Sequence, residues 1–253
     1  MAERSQRRER LRAQLERDIK GAARRLLTQG GVESLTLAAI ARELGITAPA
    51  IYRYFADLQD LIRDLARDLV TELVEHIQSR MEAVPEDEPG VRLALAVREF
   101  RAWTLEHHAE FSLLFGTPAQ AAGTAQHDLT RDWVCRLTWV FGEPFTALWQ
   151  RGELSVPAEE EIEPALLDEL ARYRESAHLD LPLGGVLLFL SCWNRIYGAV
   201  CQEAFRHFGF TFADFTPMFE NVLRELCDQL GIEYRSPAEL ATSATADHAL
   251  ENS

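Results

Sequence analysis

The chain has no uninterrupted apolar run of 18 or more residues, which argues against a membrane-spanning helix. Its N-terminus, MAERSQRRERLRAQ, is basic but leads into no apolar segment. It does not read as a secretory leader, and the expected location is the cytoplasm. Cysteine is scarce: Cys135, Cys192, Cys201 and Cys227 are the only four, with no C-x-x-C pair and no histidine at metal-ligand spacing. They read as reduced thiols, and neither metal nor cofactor is expected. A metal site from His107, His108, His127 and Asp128 is conceivable, but no spacing enforces it. Sustained apolar/polar alternation between hairpin turns is missing, which removes the case for a sheet. There is no G-x-S-x-G, no phosphate loop, no H-E-x-x-H and no dinucleotide fingerprint, so the chain is not expected to be an enzyme. No internal repeat is visible.

Charge is distributed unevenly. The net charge is −14 over 253 residues. Residues 1–60 carry 11 basic against 8 acidic side chains, a net +3, and the remainder carries 15 against 32, a net −17. The total speaks against a nonspecific nucleic-acid coat. It leaves room for one local, weakly basic contact surface near the N-terminus.

Nearly every segment has helical periodicity, and the expected class is all-α. The first helix is expected over Glu9–Thr28, with Leu11, Leu15, Ile19, Ala22, Ala23, Leu26 and Leu27 near one stripe and Gly30–Gly31 ending it. Two short helices follow, Thr36–Leu44 and Thr47–Phe55, then a long one over Asp57–Val84, with Asp57 as N-cap and VPEDEPG as its end. Further helices are expected near 90–109, 110–116, 127–152, 163–178, 182–208 and 214–230. GTPAQAAG and the acidic stretch RGELSVPAEEEIEP read as loops, and the polar last segment reads as disordered. The corresponding division is a basic flexible leader over 1–12, a DNA-binding domain over 13–60, a ligand-binding and dimerisation domain over 61–234, and a tail over 235–253.

The two short helices carry the chemistry. Thr36 and Thr47 stand where an N-cap oxygen satisfies a free backbone N–H. Gly45 sits where the chain must turn sharply and a left-handed conformation is cheap only for glycine. Ile40, Leu44, Ile46 and Ile51 supply packing. This is the pattern of a helix-turn-helix. Its second helix opens with Ala48, Pro49 and Ala50, small enough for close approach to another surface, and its free N–H groups suit phosphate. With Ile51 and Phe55 turned inward, Tyr52, Arg53 and Tyr54 remain on or near the exposed arc, where arginine suits a guanine edge or a phosphate and tyrosine a phosphate oxygen.

Residues 14–65 resemble the DNA-binding domain of the tetracycline-repressor (TetR) family of transcriptional regulators. The resemblance rests on Ala22, Ala23, Gly31, Thr36, Ile40, Ala41, Gly45 and Ile46, on Tyr52 and Phe55 in a Y-x-x-F pattern, and on Leu61. It implies an all-α fold with an N-terminal helix-turn-helix domain and a larger helical body, acting as a homodimeric repressor on a palindromic double-stranded DNA operator. By position, it makes Thr36, Thr47, Ala48, Pro49, Ala50, Tyr52, Arg53 and Tyr54 the DNA-contact residues. One departure stands out: the family commonly has a lysine at the start of the fourth helix, and this chain has Leu58. A phosphate contact is then missing, and the N–H groups at Asp57–Gln59 would have to serve in its place. The leader arginines Arg4, Arg7, Arg8, Arg10 and Arg12 could compensate by reaching phosphate or the minor groove; a solvated tail is the other reading.

In the body, Leu183, Val186, Leu187, Leu190, Trp193, Tyr197 and Val200 form a broad stripe, and Phe219, Val222, Leu223, Leu226 and Leu230 another. A helical pair apolar on more than one side needs a partner, so a four-helix homodimer interface through 182–208 and 214–230 is expected. WNRIYGAV (193–200) resembles the W-x-x-x-H-G segment of one TetR C-terminal subgroup, with Tyr197 in place of the histidine. Aromatics crowd the middle of the chain. Phe100, Trp103, His107, Phe111, Phe115, Trp139, Phe145, Trp149, Trp193 and Asn194 are the candidate lining of a site for a small apolar or aromatic ligand, with His107, His108 and Asn194 as polar handles. An alternative is a DNA-binding regulator with no small-molecule effector, governed by a protein partner or by abundance.

Overall fold

Local capping fixes several helix ends. The computed structural model describes residues 2–116 and 125–240, and among these every regular element is helical. α1 (Ala2–Gly30) stops at Gly31, which adopts φ 69° and lies before a short 3-10 turn. α2 (Leu37–Leu44) is opened by Thr36, whose hydroxyl oxygen accepts the Ala39 N–H at 3.1 Å. It is closed by Gly45 at φ 65°, ψ 27°, and the Ile46 N–H reaches back to the Ala41 carbonyl at 3.0 Å. α3 (Ala48–Ile51) starts on Thr47 with Pro49 in its first turn, then tightens through 52–54. α4 (Leu58–Met81) takes Asp57 as its cap, the carboxylate accepting the Asp60 N–H at 2.8 Å.

The remaining helices are α5 (Pro89–Glu106), α6 (His108–Phe111), α7 (Ala125–Gln150), α8 (Pro164–Ala177), α9 (Leu183–Ala204) and α10 (Thr216–Leu230). Ser112–Gly116 continue from α6 in a wider π-helical turn. α7 runs through Pro144 without ending. Proline also opens α5 and α8, where a missing N–H costs nothing. The sequence expectation for the first helix began at Glu9; the observed helix begins at Ala2, because Ala, Glu, Gln, Arg and Leu all favour helix. The second short helix was expected to run to Phe55; only its first turn is α-helical. The expected loop at 117–123 and the end of the chain from 241 lie outside the described residues.

Two compact units emerge. The first comprises residues 1–73 and 104–133, and the second 74–103 and 134–253. In the first, Ile19, Ala22 and Leu27 of α1, Ile40 of α2, Ile51 of α3 and Leu61 of α4 are fully or almost fully buried. In the second, Phe100, Phe145, Val186, Val200 and Phe219 have no or almost no exposure. Phe100 meets Phe141 edge-on at 6.1 Å and lies 5.3 Å from Trp193. Such aromatic pairs contribute about 1 kcal/mol each beyond their buried area. α9 is long and apolar enough by itself to span a membrane, with mean hydropathy 1.3, but half of that window is buried inside the unit, as for a core helix.

Candidate nucleic-acid interface

The helix-turn-helix is built on a division of faces. Ile51 and Phe55 are buried on the core side of α3 and its following turn, as are Ile40 and Ala41 of α2. The other side is left open: Tyr52 is 57% exposed, Arg53 is exposed, and Tyr54 is half-buried. Thr47, Pro49 and Ala48 precede them at the start of α3, with Pro49 exposed and the flanking residues Ala48 and Ala50 at most half-buried. Thr36 is exposed, and its oxygen is occupied in capping α2. Seven of the eight sequence-proposed contact residues therefore sit on α3 or directly beside it, and Thr36 stands at the N-terminus of α2. Arg53 has no carboxylate partner among the described residues.

The surroundings differ in charge. At the start of α4, Asp57 accepts the Asp60 N–H, and the Asp60 carboxylate accepts the Ala56 N–H at 3.0 Å. That bond, followed by the one from Arg63, holds the Asp60 carboxyl below the usual carboxylate range. Leu58 is half-buried between these two acids. A phosphate approaching this helix start would meet two carboxylates. The Arg12 guanidinium of α1 lies over the Tyr54 ring, 5.8 Å from its centroid. The Asp57 cap follows from the sequence, but the Arg12–Tyr54 contact was not legible there, because it depends on which side chains the fold brings together.

α1 is tied to the rest of its unit by charge as well as by apolar packing. Lys20 pairs with Asp64 at 3.0 Å and also with Asp68. Arg24 holds Glu72 of α4 bidentately at 2.6 and 2.9 Å, while its Nε donates to Glu110 of α6 at 2.9 Å. The bonds to Glu72 dominate in pushing the Arg24 guanidinium above its ordinary pKa. His107 stands 3.7 Å from Glu72.

Comparison with known proteins decides what this assembly is. Residues 19–65 match the family model described as bacterial regulatory proteins, tetR family. Residues 93–226, more than half of the chain, match the tetracyclin repressor-like C-terminal domain. The chain belongs to the TetR family. Its curated relatives include the HTH-type transcriptional regulator Rv1816 of Mycobacterium tuberculosis, 25% identical over 198 residues that cover 78% of this chain and 84% of the relative. The same identity and coverage hold for Mb1846 of Mycobacterium bovis. Among solved structures, regulatory protein SCO4313 superimposes with a TM-score of 0.63 at 26% identity, over 86% of this chain and 97% of that one. The fatty acid degradation regulator FadR from Bacillus halodurans shares the fold, with a TM-score of 0.57 at 15% identity over 83% and 96% of the two chains. The TetR family is one of transcriptional regulators, not of enzymes.

The family's C-terminal domain invites a search for a ligand site. In the second unit of this TetR protein, an apolar cavity of about 50 Å³ lies among α5, α7, α9 and α10, lined by Leu93, Val97, Phe141, Phe145, Phe189, Trp193, Leu223 and neighbours. Of the proposed ligand residues, Phe145 and Trp193 line it, and Phe100 packs against Trp193. Trp103 is buried and Trp149 half-buried, but neither lines the cavity. Trp139 is 55% exposed and Asn194 is exposed, so both stand outside it. His107, Phe111 and Phe115 belong to the first unit, where Phe111 and Phe115 pack at 4.8 Å. The side chains of His127 and Asp128 lie outside the described residues.

Two lining residues missed by sequence reasoning are Cys192 and Cys227. Burial pushes both thiols up to about 11. The signal for them was present in the helical stripes of α9 and α10, yet a cysteine on such a stripe looks no different from ordinary core.

Proposed function

We propose that this TetR-family regulator binds a palindromic DNA operator as a homodimer, represses transcription there, and is released by a small apolar or aromatic ligand. Residues 13–60 read the DNA, and residues 61–234 pair and sense. The observation that carries the DNA reading is the open face of α3: Tyr52 and Arg53 are exposed and aimed away from the buried Ile51 and Phe55. Thr36, Thr47, Ala48, Pro49, Ala50 and Tyr54 complete the contact surface. Each recognition helix enters the major groove of one half-site, the two half-sites being about 34–36 Å apart. Being a DNA-binding regulator, it works in the cytoplasm.

Pairing is supported by the outer side of α9. Leu187, Leu190 and Cys201 are half-buried in the single chain, and a Cβ added at Gly198 would meet nothing. A second chain laid along this stripe with α10 completes a four-helix interface. The cavity supports ligand control in a specific way. At about 50 Å³ it is far below the roughly 300–1,000 Å³ of a drug-sized site. A ligand must therefore enlarge it, and by favouring an enlarged body that holds the reading heads at another separation it would shift the protein away from DNA.

The experiment is a pair of substitutions tested against an operator selected from random DNA. Tyr52→Ala weakens binding to all sites, because a hydroxyl that bonds phosphate is removed. Arg53→Ala also relaxes base preference, by about 1–3 kcal/mol at one position. Wild-type behaviour of both variants would sink the contact assignment. A metabolite panel screened by thermal shift separates ligand control from control by a protein partner or by abundance, since only the first gives a stabilising compound.

A further inference from the structure

We propose that the extended segment Ile232–Arg235 is a strap over the mouth of the apolar cavity, and that an apolar ligand enters by displacing the Ile232 side chain. The inference rests on the ligand control proposed above and names the part of the body that has to move.

Position comes first. Every residue lining the cavity is buried except Ile232, Cys192 and Trp193. Cys192 and Trp193 belong to α9, a helix of the proposed pairing surface. Ile232 lies outside that helix, lines the cavity and is still reached by solvent. Its seal is tight on the side of α5: a Cβ added at Gly90 would lie 3.2 Å from the Ile232 Cβ.

The way the strap is held suits it to open. Gly231 ends α10 at φ 70°, ψ 20°, the left-handed conformation that turns the chain sharply out of a helix. Residues 232–236 then form no regular element. The Ile232 N–H still bonds the Cys227 carbonyl at 3.0 Å. Further along, side chains act as a clasp. The Tyr234 hydroxyl donates to Glu220 of α10 at 2.8 Å. The guanidinium groups of Arg98 and Arg224 lie over the Tyr234 ring, 5.4 and 4.5 Å from its centroid. Arg98 of α5 donates to the Arg235 carbonyl at 2.9 Å, and Arg235 donates to Glu88 at 2.8 Å. The Arg235–Glu88 pair is open to solvent and adds little. An irregular segment fastened by a few polar bonds opens locally at far lower cost than the fold as a whole.

A lifted strap also changes the space available. The closed cavity holds about 50 Å³. Removing Ile232 adds the volume of that side chain and joins the cavity to solvent, with α5, α7, α9 and α10 left in place. A ligand seated where Ile232 stood binds the lifted state alone and therefore favours it.

The test reads the strap through Cys227, which lines the cavity and is 1% exposed. The full chain is compared with Tyr234→Phe/Arg235→Ala, which removes the hydroxyl bond and the Glu88 pair but keeps Ile232. Iodoacetamide labelling of the native proteins is followed at each thiol by mass spectrometry, with the half-buried Cys135 of α7 as internal reference. A hydrogen bond to a carboxylate shifts the closed–open balance by about tenfold. Cys227 should therefore label about tenfold faster in the variant, and Cys135 at its wild-type rate. Ile232→Ala, which thins the seal and leaves the clasp, should also speed Cys227 relative to Cys135. An unchanged Cys227 rate in the clasp variant overturns the strap as the mouth. Equal acceleration of Cys227 and Cys135 also overturns it, because the whole unit is then opening. The labelling uses no ligand, so the two readings can part. If Cys227 responds as expected and no compound of a metabolite panel releases the protein from its operator, the strap stands and ligand control falls.

Discussion

Arg24 of α1 grips Glu72 of α4 through two hydrogen bonds of 2.6 and 2.9 Å, and donates its Nε–H to the buried Glu110 of α6. Three helices of the first unit thus share one guanidinium. The pair with Glu72 is half exposed and contributes little by itself. Glu110 is different, because only 5% of its side chain is exposed. Arg24→Ala strands that carboxylate and should destabilise the fold by about 3 kcal/mol. Adding Glu110→Gln to Arg24→Ala should return much of the loss. A denaturant titration of the two variants checks this: equal destabilisation would mean that Glu110 draws its support from elsewhere.

The sequence made the α2–α3 pair legible because its signals are local. Thr36 caps through a bond to a residue three positions away, and Gly45 turns the chain with its own backbone. The length of α3 was less legible, since nothing between Ile51 and Phe55 marks where regular turns tighten. The Arg24 cluster was invisible, because its partners lie 48 and 86 residues away and no periodicity links them. The ligand region fared between these. Large aromatics announced a core, and Phe145 and Trp193 do line the cavity. Which aromatics face a cavity depends on the packing of four helices, so Trp139 and Asn194 could not be told from their neighbours by spacing alone.

The cap at Thr36 makes a separate contribution to stability. Its oxygen accepts the Ala39 N–H at 3.1 Å, and no other side chain is positioned to do so among the described residues. Thr36→Ala should lower stability by about 1 kcal/mol, and Thr36→Ser by much less. Denaturant midpoints of the two variants, measured without DNA, separate the cap from any role in binding.

Acid should act on the second unit through Glu220. Burial alone would raise its carboxyl, but bonds from Arg98 at 2.9 and 2.7 Å and from Tyr234 at 2.8 Å outweigh it and hold the carboxyl below the ordinary 4.5. The folded state therefore gains from this charge above pH 4.5 and loses the gain as pH falls through the lowered folded value. Glu220→Gln should be less stable than wild type at neutral pH, and the gap should close below pH 4.5. A gap that stays constant across the acid range would contradict this.

Thiol chemistry offers a check on the cavity wall. With Cys192 and Cys227 both pushed up to about 11 by burial, only about one thiol in a thousand is ionised at pH 8. Iodoacetamide should modify these two at least about 100-fold more slowly in the folded protein than in denaturant. Mass spectrometry of digests reads each site separately. Rapid labelling of either thiol in the native state would mean that the wall opens readily to solvent.

The central claim is that an acidic chain carries a localised DNA-reading head on α2 and α3. Selection of DNA from a random pool by the purified full-length protein, followed by binding to the enriched sequence, tests it most directly. The account predicts a two-fold symmetric site bound by two chains, with half-site centres about 34–36 Å apart and affinity that falls steeply with salt. A pool that shows no enriched sequence after repeated rounds would contradict it.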